Sequence, residues 1–390
     1  MSALSVNPVP QVVLLPGGVM PAEPAYRALL SELGDEVDAI TKDLEVYAGD
    51  SPPVDFSLDT EVEGIRRAAD DAGFERFHLV GYSGGGASSL AFVNRYPERL
   101  LSLALFEPAW AGNEGLGPEE TALRERYRAL QGLSPDEFMR GFIGYQLRPG
   151  VEPPPPPPPG PPPPWMATRP AGLAAFMHAF DAAALDLERL RKFDRPVYFG
   201  LGGRSNPDYY EQMARRLAGA FPDFTLEIYA ERHHFDPPHR MEPARVADAL
   251  RTLWSRAAHG STAHPNESLV RGLYAAFNRR DLDAAIALFT EDAVFHCPGR
   301  NRIAGDHRGR GEVLAFWQAQ IDLSQGTFRP VVTDVLVSDR QVAVIVDVGM
   351  ARADRRFAWL RAIVYRVRGG RFAEAWVYEG DQAAADEFFA

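Results

Sequence analysis

Cysteine is almost missing from this chain. A single one, Cys297, occurs in 390 residues, so an intrachain disulfide is excluded and a cytoplasmic location is the default expectation. Long apolar runs are missing too. No stretch reaches the roughly eighteen residues that a membrane-spanning helix needs. The N-terminus has no basic segment followed by an apolar one, so no secretory signal is expected. Asn266-Glu267-Ser268 is then an idle sequon, because glycosylation requires secretion. Positive charge is in deficit, with 41 Lys and Arg against 53 Asp and Glu and a net charge of -12. That balance argues against nucleic acid and anionic membranes as partners, since both need clustered cations. What remains is 46% hydrophobic and 24% charged, ordinary globular material with enough length for two or three domains, each with its own core.

Proline is abundant in one place. Eleven prolines fill Pro153 to Pro164, broken only by Gly160. Such a run forms polyproline II and spans up to about 37 Å at about 3.1 Å per residue. It reads as a stiff spacer or expanded loop in preference to a docking strip for a partner.

Around that run, residues 1–258 alternate strand and helix patterns. Apolar strands are expected at Gln11 to Leu15, Phe77 to Val80, Leu101 to Phe106, Val197 to Leu201 and Thr225 to Tyr229, with a further short one at Leu44 to Tyr47. Helices are expected between them, at Tyr26 to Leu33, Thr60 to Ala72 and Asp208 to Ala220, with a last one at Glu242 to Ala257. The rhythm predicts a mostly parallel sheet with helices on both faces. From about 108 to 195 the pattern holds helices only, which predicts a lid. A linker is expected at 259–265 and a second domain at 266–390. There the order is helices, then four long strands separated by Ser-Asp, Ala-Asp and Gly-Gly turns, which predicts an α+β domain with antiparallel hairpins.

The most informative string is Gly81-Tyr82-Ser83-Gly84-Gly85. It fits G-x-S-x-G, between an apolar strand and the helical Ala87 to Phe92. A sharp strand-to-helix turn needs glycine on both sides of the serine, where a side chain would strike neighbouring backbone. Ser83 is therefore the candidate nucleophile. A serine hydroxyl needs a base, and the base a carboxylate, in chain order Ser, acid, His. His233 and His234 follow the last strand, with His234 preferred as base and His233 as the alternative. Glu107 closes the strand after the elbow helix and is the preferred acid, because a carboxylate at the end of an apolar strand is costly unless paired. Asp208 is the alternative acid. Two amides are needed to hold an oxyanion. Gly84 supplies one, and Gly18, within Pro16-Gly17-Gly18-Val19, is the preferred second.

Taken together, Leu15-Pro16-Gly17-Gly18, the elbow, Tyr96-Pro97-Glu98-Arg99-Leu100 and the histidine loop resemble the α/β-hydrolase superfamily, over about Val12 to Ala257. An acid after the strand that follows the elbow is similar to the arrangement in some haloalkane dehalogenases and lipases. Those dehalogenases use Asp as nucleophile, so Ser83 implies ester, thioester, lactone or amide cleavage, or C–C hydrolysis, without a cofactor or metal. Lid aromatics Phe138, Phe142, Trp165, Phe176 and Phe180 either line an apolar pocket or pack the lid. The expected partner is a small-molecule substrate with an apolar part.

The remainder resembles the SnoaL-like group of the ketosteroid-isomerase-like cone fold. The resemblance rests on Tyr274-Ala275-Ala276-Phe277-Asn278, on Pro298-Gly299 through Gly309, and on Trp376-Val377-Tyr378-Glu379-Gly380-Asp381. It implies a conical pocket, with His296, His307, Asp347, Trp359, Trp376, Tyr378 and Asp381 as candidates to line it. Some relatives are cyclases or isomerases with an Asp or His base. Others dimerise or bind ligands, so a homodimer through this domain is one option. The reading is therefore a serine hydrolase fused to an accessory domain. The alternatives are a noncatalytic binding or assembly protein, or a bifunctional protein with an isomerase or cyclase domain.

Overall fold

The structure, a computed structural model, describes residues 9–130, 132–155, 161–258, 264–352 and 355–390. The centre of the proline run and most of the expected linker lie outside the described residues. The chain divides into two compact units. The first comprises residues 1–214 and 227–258, and the second comprises residues 215–226 and 259–390.

The first unit is built by β–α alternation. Its elements run β1 (Gln11–Leu15), α1 (Ala22–Leu33), β2 (Asp38–Thr41), α2 (Leu58–Asp71), β3 (Phe77–Tyr82), α3 (Gly84–Arg95) and β4 (Leu100–Phe106). Four helices follow, α4 (Pro118–Ala129), α5 (Pro135–Gln146), α6 (Arg169–Ala182) and α7 (Leu187–Arg191), with no strand among the described residues before β5 (Val197–Gly202). Then come α8 (Gln212–Ala220), which belongs to the second unit from residue 215 on, β6 (Phe224–Tyr229), which returns to the first unit at residue 227, α9 (Pro238–Met241) and α10 (Pro243–Ala258). The sheet order is β2-β1-β3-β4-β5-β6, with parallel pairing from β2 through to β5. β3 and β4 are almost wholly buried. That fits apolar runs covered on both faces.

One expected strand is corrected. Leu44 to Tyr47 is not a strand; Glu45–Tyr47 forms a turn of 3-10 helix, and the strand lies earlier, at Asp38–Thr41. The buried carboxylate of Glu61 explains the turn. It accepts from the amides of Glu45 and Val46 at 3.0 and 2.9 Å, bonds that a ladder would otherwise take. Asp208 to Ala220 likewise begins as a five-residue π-helical turn, Pro207–Glu211.

The second unit starts with α11 (Pro265–Asn278), α12 (Leu282–Ala287), β7 (Phe289–Cys297), β8 (Gly305–Arg308) and α13 (Gly309–Leu323). It continues with β9 (Arg329–Val337), β10 (Gln341–Arg352), β11 (Arg355–Arg368), β12 (Arg371–Glu379) and α14 (Gln382–Phe388). The sheet order is β8-β7-β12-β11-β10-β9. It is mixed: β12 and β7 run parallel, and the other pairs antiparallel. Gly369 and Gly370 take φ of 58° and 72°, as a two-residue hairpin turn requires. An aromatic core, with Phe277, Phe289, Phe295, Trp317, Phe328 and Tyr365, fills the unit.

Candidate active site

The C-terminal ends of parallel strands lie on one edge of a sheet, and loops there meet. Ser83 follows β3, Glu107 follows β4, and the histidine loop follows β6. Ser83 has φ 51° and Glu107 φ 44°, a left-handed conformation that costs a non-glycine residue energy and gathers at functional sites. Its neighbours hold Ser83 there. Its amide donates to Phe106 O at 3.0 Å, and its carbonyl accepts from Ala87 N and Ala109 N at 3.0 and 2.8 Å. Both elbow glycines are needed: a Cβ at Gly81 would sit 2.6 Å from Gly85 O, and one at Gly85 would sit 2.5 Å from Pro16 O.

His234 lies between Ser83 and Glu107. Its Nε2 is 3.0 Å from Ser83 Oγ and its Nδ1 is 3.0 Å from Glu107 Oε2. Ionised, Glu107 only accepts, so Nδ1 carries the proton and donates it, and Nε2 accepts from the serine. The other oxygen, Glu107 Oε1, accepts from Gly202 N at 2.8 Å. All three side chains are buried, with Ser83 8%, Glu107 3% and His234 2% exposed, so their hydrogen bonds act away from bulk water.

The alternatives sit elsewhere. His233 closes its own loop. Its Nδ1 lies 2.9 Å from Asp236 Oδ1, and its amide donates to the same oxygen at 2.6 Å. Asp208 starts the turn after β5, its amide donating to the Asn206 side chain at 3.0 Å. Glu107, not Asp208, pairs with the imidazole.

Helix α3 aims its N-terminus at Ser83, where first-turn amides are free of intrahelical partners. Among the described residues neither the Gly84 nor the Gly18 amide finds an acceptor in the protein. The two approach each other closely, since a Cβ on Gly84 would lie 3.5 Å from Gly18 N.

Two further residues escape the sequence reading. Tyr82 donates its hydroxyl to the backbone carbonyl of His234. Tyr210 stacks on the imidazole, with ring centroids 4.8 Å apart, and donates to Gln146 Oε1 at 2.7 Å. Burial raises both phenols well above their ordinary pKa, so they stay protonated donors. The available signals were the position of Tyr82 inside the elbow motif and the Tyr209-Tyr210 pair beside the alternative acid, Asp208.

Tyr210 also lines a cleft that includes Ala109, Trp110, Tyr127, Phe142 and Phe180. Of the five lid aromatics, Phe142 and Phe180 therefore face the cleft. Phe138 joins Leu130 and Leu173 in a small core, Phe176 is 2% exposed, and Trp165 is 37% exposed.

The second unit has its own cavity, and there the candidates are corrected. It is lined by Tyr274, Phe277, Trp317, Gln320, Arg361 and Tyr365, with other apolar residues. None of the seven expected residues is among them. For His296, Asp347, Trp376 and Tyr378 strand parity is the reason, because successive side chains point to opposite faces. Val346 and Ile363 face the cavity, whereas Asp347, Trp376 and Tyr378 belong to the opposite parity. Asp347 is paired with buried Arg215, included in the same unit. Trp376 stacks on His296, which pairs with Asp306 and Glu374. Tyr378 is 57% exposed. Trp359 shares the cavity's parity but donates to Glu379 at 2.6 Å. Asp381 caps α14, accepting from Ala384 N at 2.9 Å, and His307 Nε2 donates to Ile303 O at 2.9 Å.

A parallel sheet that presents a strained serine, a histidine and a carboxylate on one edge defines a hydrolase-type α/β protein. The chain belongs to the alpha/beta hydrolase family, whose sequence model matches residues 12–249, and the model of the SnoaL-like domain matches residues 270–375. An uncharacterized protein of Mycobacterium tuberculosis is 32% identical over 123 residues, 31% of this chain and 94% of that protein. A 2-hydroxy-6-oxo-6-phenylhexa-2,4-dienoate hydrolase of Comamonas testosteroni is 33% identical over 116 residues, 27% of this chain and 39% of the relative. Among solved structures, a thermophilic esterase from Thermogutta terrifontis superposes with a TM-score of 0.45 at 21% identity, covering 64% of this chain and 90% of the esterase. Among the described residues, no helix is long and apolar enough to cross a membrane.

Proposed function

We propose that the hydrolase part is a cofactor-independent serine hydrolase that cleaves an ester, thioester or similar carbonyl compound with an apolar, aryl-sized group. The observation that carries this reading is the unbroken chain of two 3.0 Å contacts from Ser83 through His234 to Glu107. Ser83 Oγ attacks the carbonyl carbon while His234 Nε2 takes its proton, and Glu107 stabilises the imidazolium that forms. The amides of Gly84 and Gly18 hold the oxyanion. The carbonyl re-forms, the leaving group departs with the proton from Nε2, and water deacylates the enzyme by the same route. The aromatic cleft beside Tyr210 supports an apolar substrate portion. The phenyl-bearing compound in the name of the Comamonas relative agrees with that size class.

The SnoaL-like part serves as an accessory domain in this proposal. An isomerase or cyclase reaction needs an acid–base group facing the reacting carbon; among the described residues the side chains lining its cavity include no carboxylate and no imidazole, and its two phenols, Tyr274 and Tyr365, bond to each other at 3.1 Å.

The test is turnover of a panel of aryl and alkyl esters, thioesters and lactones by wild type and Ser83→Ala. The expected result is hydrolysis of at least one class, with kcat lower by about 10⁴-fold or more in Ser83→Ala. Equal turnover by both proteins contradicts the assignment.

A further inference from the structure

Gly18 has no side chain of its own to fix its backbone, so its neighbours must orient it. Tyr47 is the neighbour that does so from the turn after β2, donating its hydroxyl to Gly18 O at 2.7 Å. Burial holds the Tyr47 phenol above its ordinary pKa, so the donor stays protonated. Tyr47 is anchored from below, because Glu61 ties down the amides of the two residues before it.

From above, Tyr47 meets lid helix α6, and the fit there is specific. The Arg169 guanidinium stacks on the Tyr47 ring, 3.8 Å from its centroid. Gly172, one turn along, makes room for the same ring; a Cβ there would lie 2.0 Å from Tyr47 Cε1. Leu173 packs on Gly18 itself, within 2.8 Å of where a Cβ would stand. Arg169 is 4% exposed, and among the described residues its Nε has no hydrogen-bond partner and no carboxylate pairs with it. A buried guanidinium without a counter-ion is costly, and the face of an aromatic ring is the compensation seen here.

We propose that Arg169 and Tyr47 form a relay through which the docked position of lid helix α6 sets the oxyanion loop. Arg169 fixes the ring of Tyr47, and the Tyr47 hydroxyl fixes the Gly18 backbone whose amide faces the developing oxyanion. Tyr47 and Arg169 are positioning residues. When α6 lifts, Tyr47 loses its stacking partner and Gly18 loses its restraint, so the site acts only under a closed lid. The relay rests on the serine-hydrolase reading and supplies the regulation of that same site.

The test compares wild type, Tyr47→Phe, Arg169→Met, Arg169→Lys, Gly172→Ala and the double variant Tyr47→Phe/Arg169→Met. The readouts are steady-state ester hydrolysis, inhibition by an aryl boronic acid that mimics the tetrahedral intermediate, and the rate of fluorophosphonate labelling. Tyr47→Phe removes one oxygen and leaves the packing intact. It should lower kcat about ten-fold with KM within two-fold, and weaken the boronic acid by the same factor. Arg169→Met and Gly172→Ala should match it. Arg169→Lys should recover part of the loss, and the double variant should be no worse than the poorer single variant within two-fold. Wild-type kcat and boronic acid affinity in Tyr47→Phe overturn the relay while the serine-hydrolase reading stands. Folded wild type that neither hydrolyses the panel nor takes the label overturns both.

Discussion

Ser83, His234 and Glu107 are each buried, and each bonds to the next. The conspicuous polar residues of the SnoaL-like unit are bonded as fully, but His296, Asp347 and Asp381 satisfy themselves with partners away from its cavity. The difference follows from topology. In a parallel sheet every strand ends on the same edge, so residues far apart in sequence converge there. In a largely antiparallel sheet alternate residues face opposite sides, so a polar residue one step out of phase points away from the cavity. A buried polar group marks a site only when its partners include another reactive group. Where the partner is a cap or an ion pair, the group marks structure.

The sharpest way to break this contrast is to exchange the acid. Glu107→Gln keeps the shape but removes the charge that steadies His234, and kcat should fall about 10³- to 10⁴-fold. Asp208→Asn should leave kcat within about two-fold. The reverse order of effects would move the acid to the residue after β5 and undo the convergence of strand ends.

A smaller effect concerns buried histidines of the first unit that are not in the chain of contacts. Burial lowers both His78 and His239 to about 3. Their folded pKa lies below the unfolded value near 6.5. Between about pH 3 and 6.5 the unfolded chain therefore binds the extra protons, and stability falls as pH drops. The slope is about 1.4 kcal/mol per pH unit for each histidine. Among the described residues His239 has no hydrogen-bond partner at either nitrogen, and its ring packs among those of Tyr26, Tyr82 and Phe106. His239→Phe should remove its share, flattening the plot of urea-unfolding free energy against pH. An unchanged slope contradicts the assignment.

The smallest effect is expected at the outward-facing aromatics. Tyr378→Ser should leave ester turnover unchanged and shift stability by no more than about 0.5 kcal/mol, as exposed positions do. A ten-fold loss of turnover would mean that this face contributes to the reaction after all.

Most of the candidate site's geometry was legible in the sequence because its local structure follows from residue types at fixed places. The elbow needs glycines at fixed places, and Glu107 is conspicuous as a carboxylate closing an apolar strand. β2 was less legible: Asp38–Thr41 is a short, half-exposed edge strand, whereas the more apolar Leu44 to Tyr47 is buried in a turn pinned by Glu61. β8 was missed for a similar reason, since Gly-Asp-His-Arg carries no apolar signal. The pocket of the SnoaL-like unit was misread because residues were chosen by chemical character across both strand parities. Gln320 and Arg361, which do line it, carry no motif. Tyr47 and Arg169 were invisible because their significance lies in contacts distant along the chain.

The most direct measurement is intact-mass analysis after exposure of folded protein to a fluorophosphonate at neutral pH. Wild type should gain one adduct, located on Ser83, and Ser83→Ala should gain none. A folded wild type that stays unlabelled, or a Ser83→Ala protein labelled at the wild-type rate, would contradict the account.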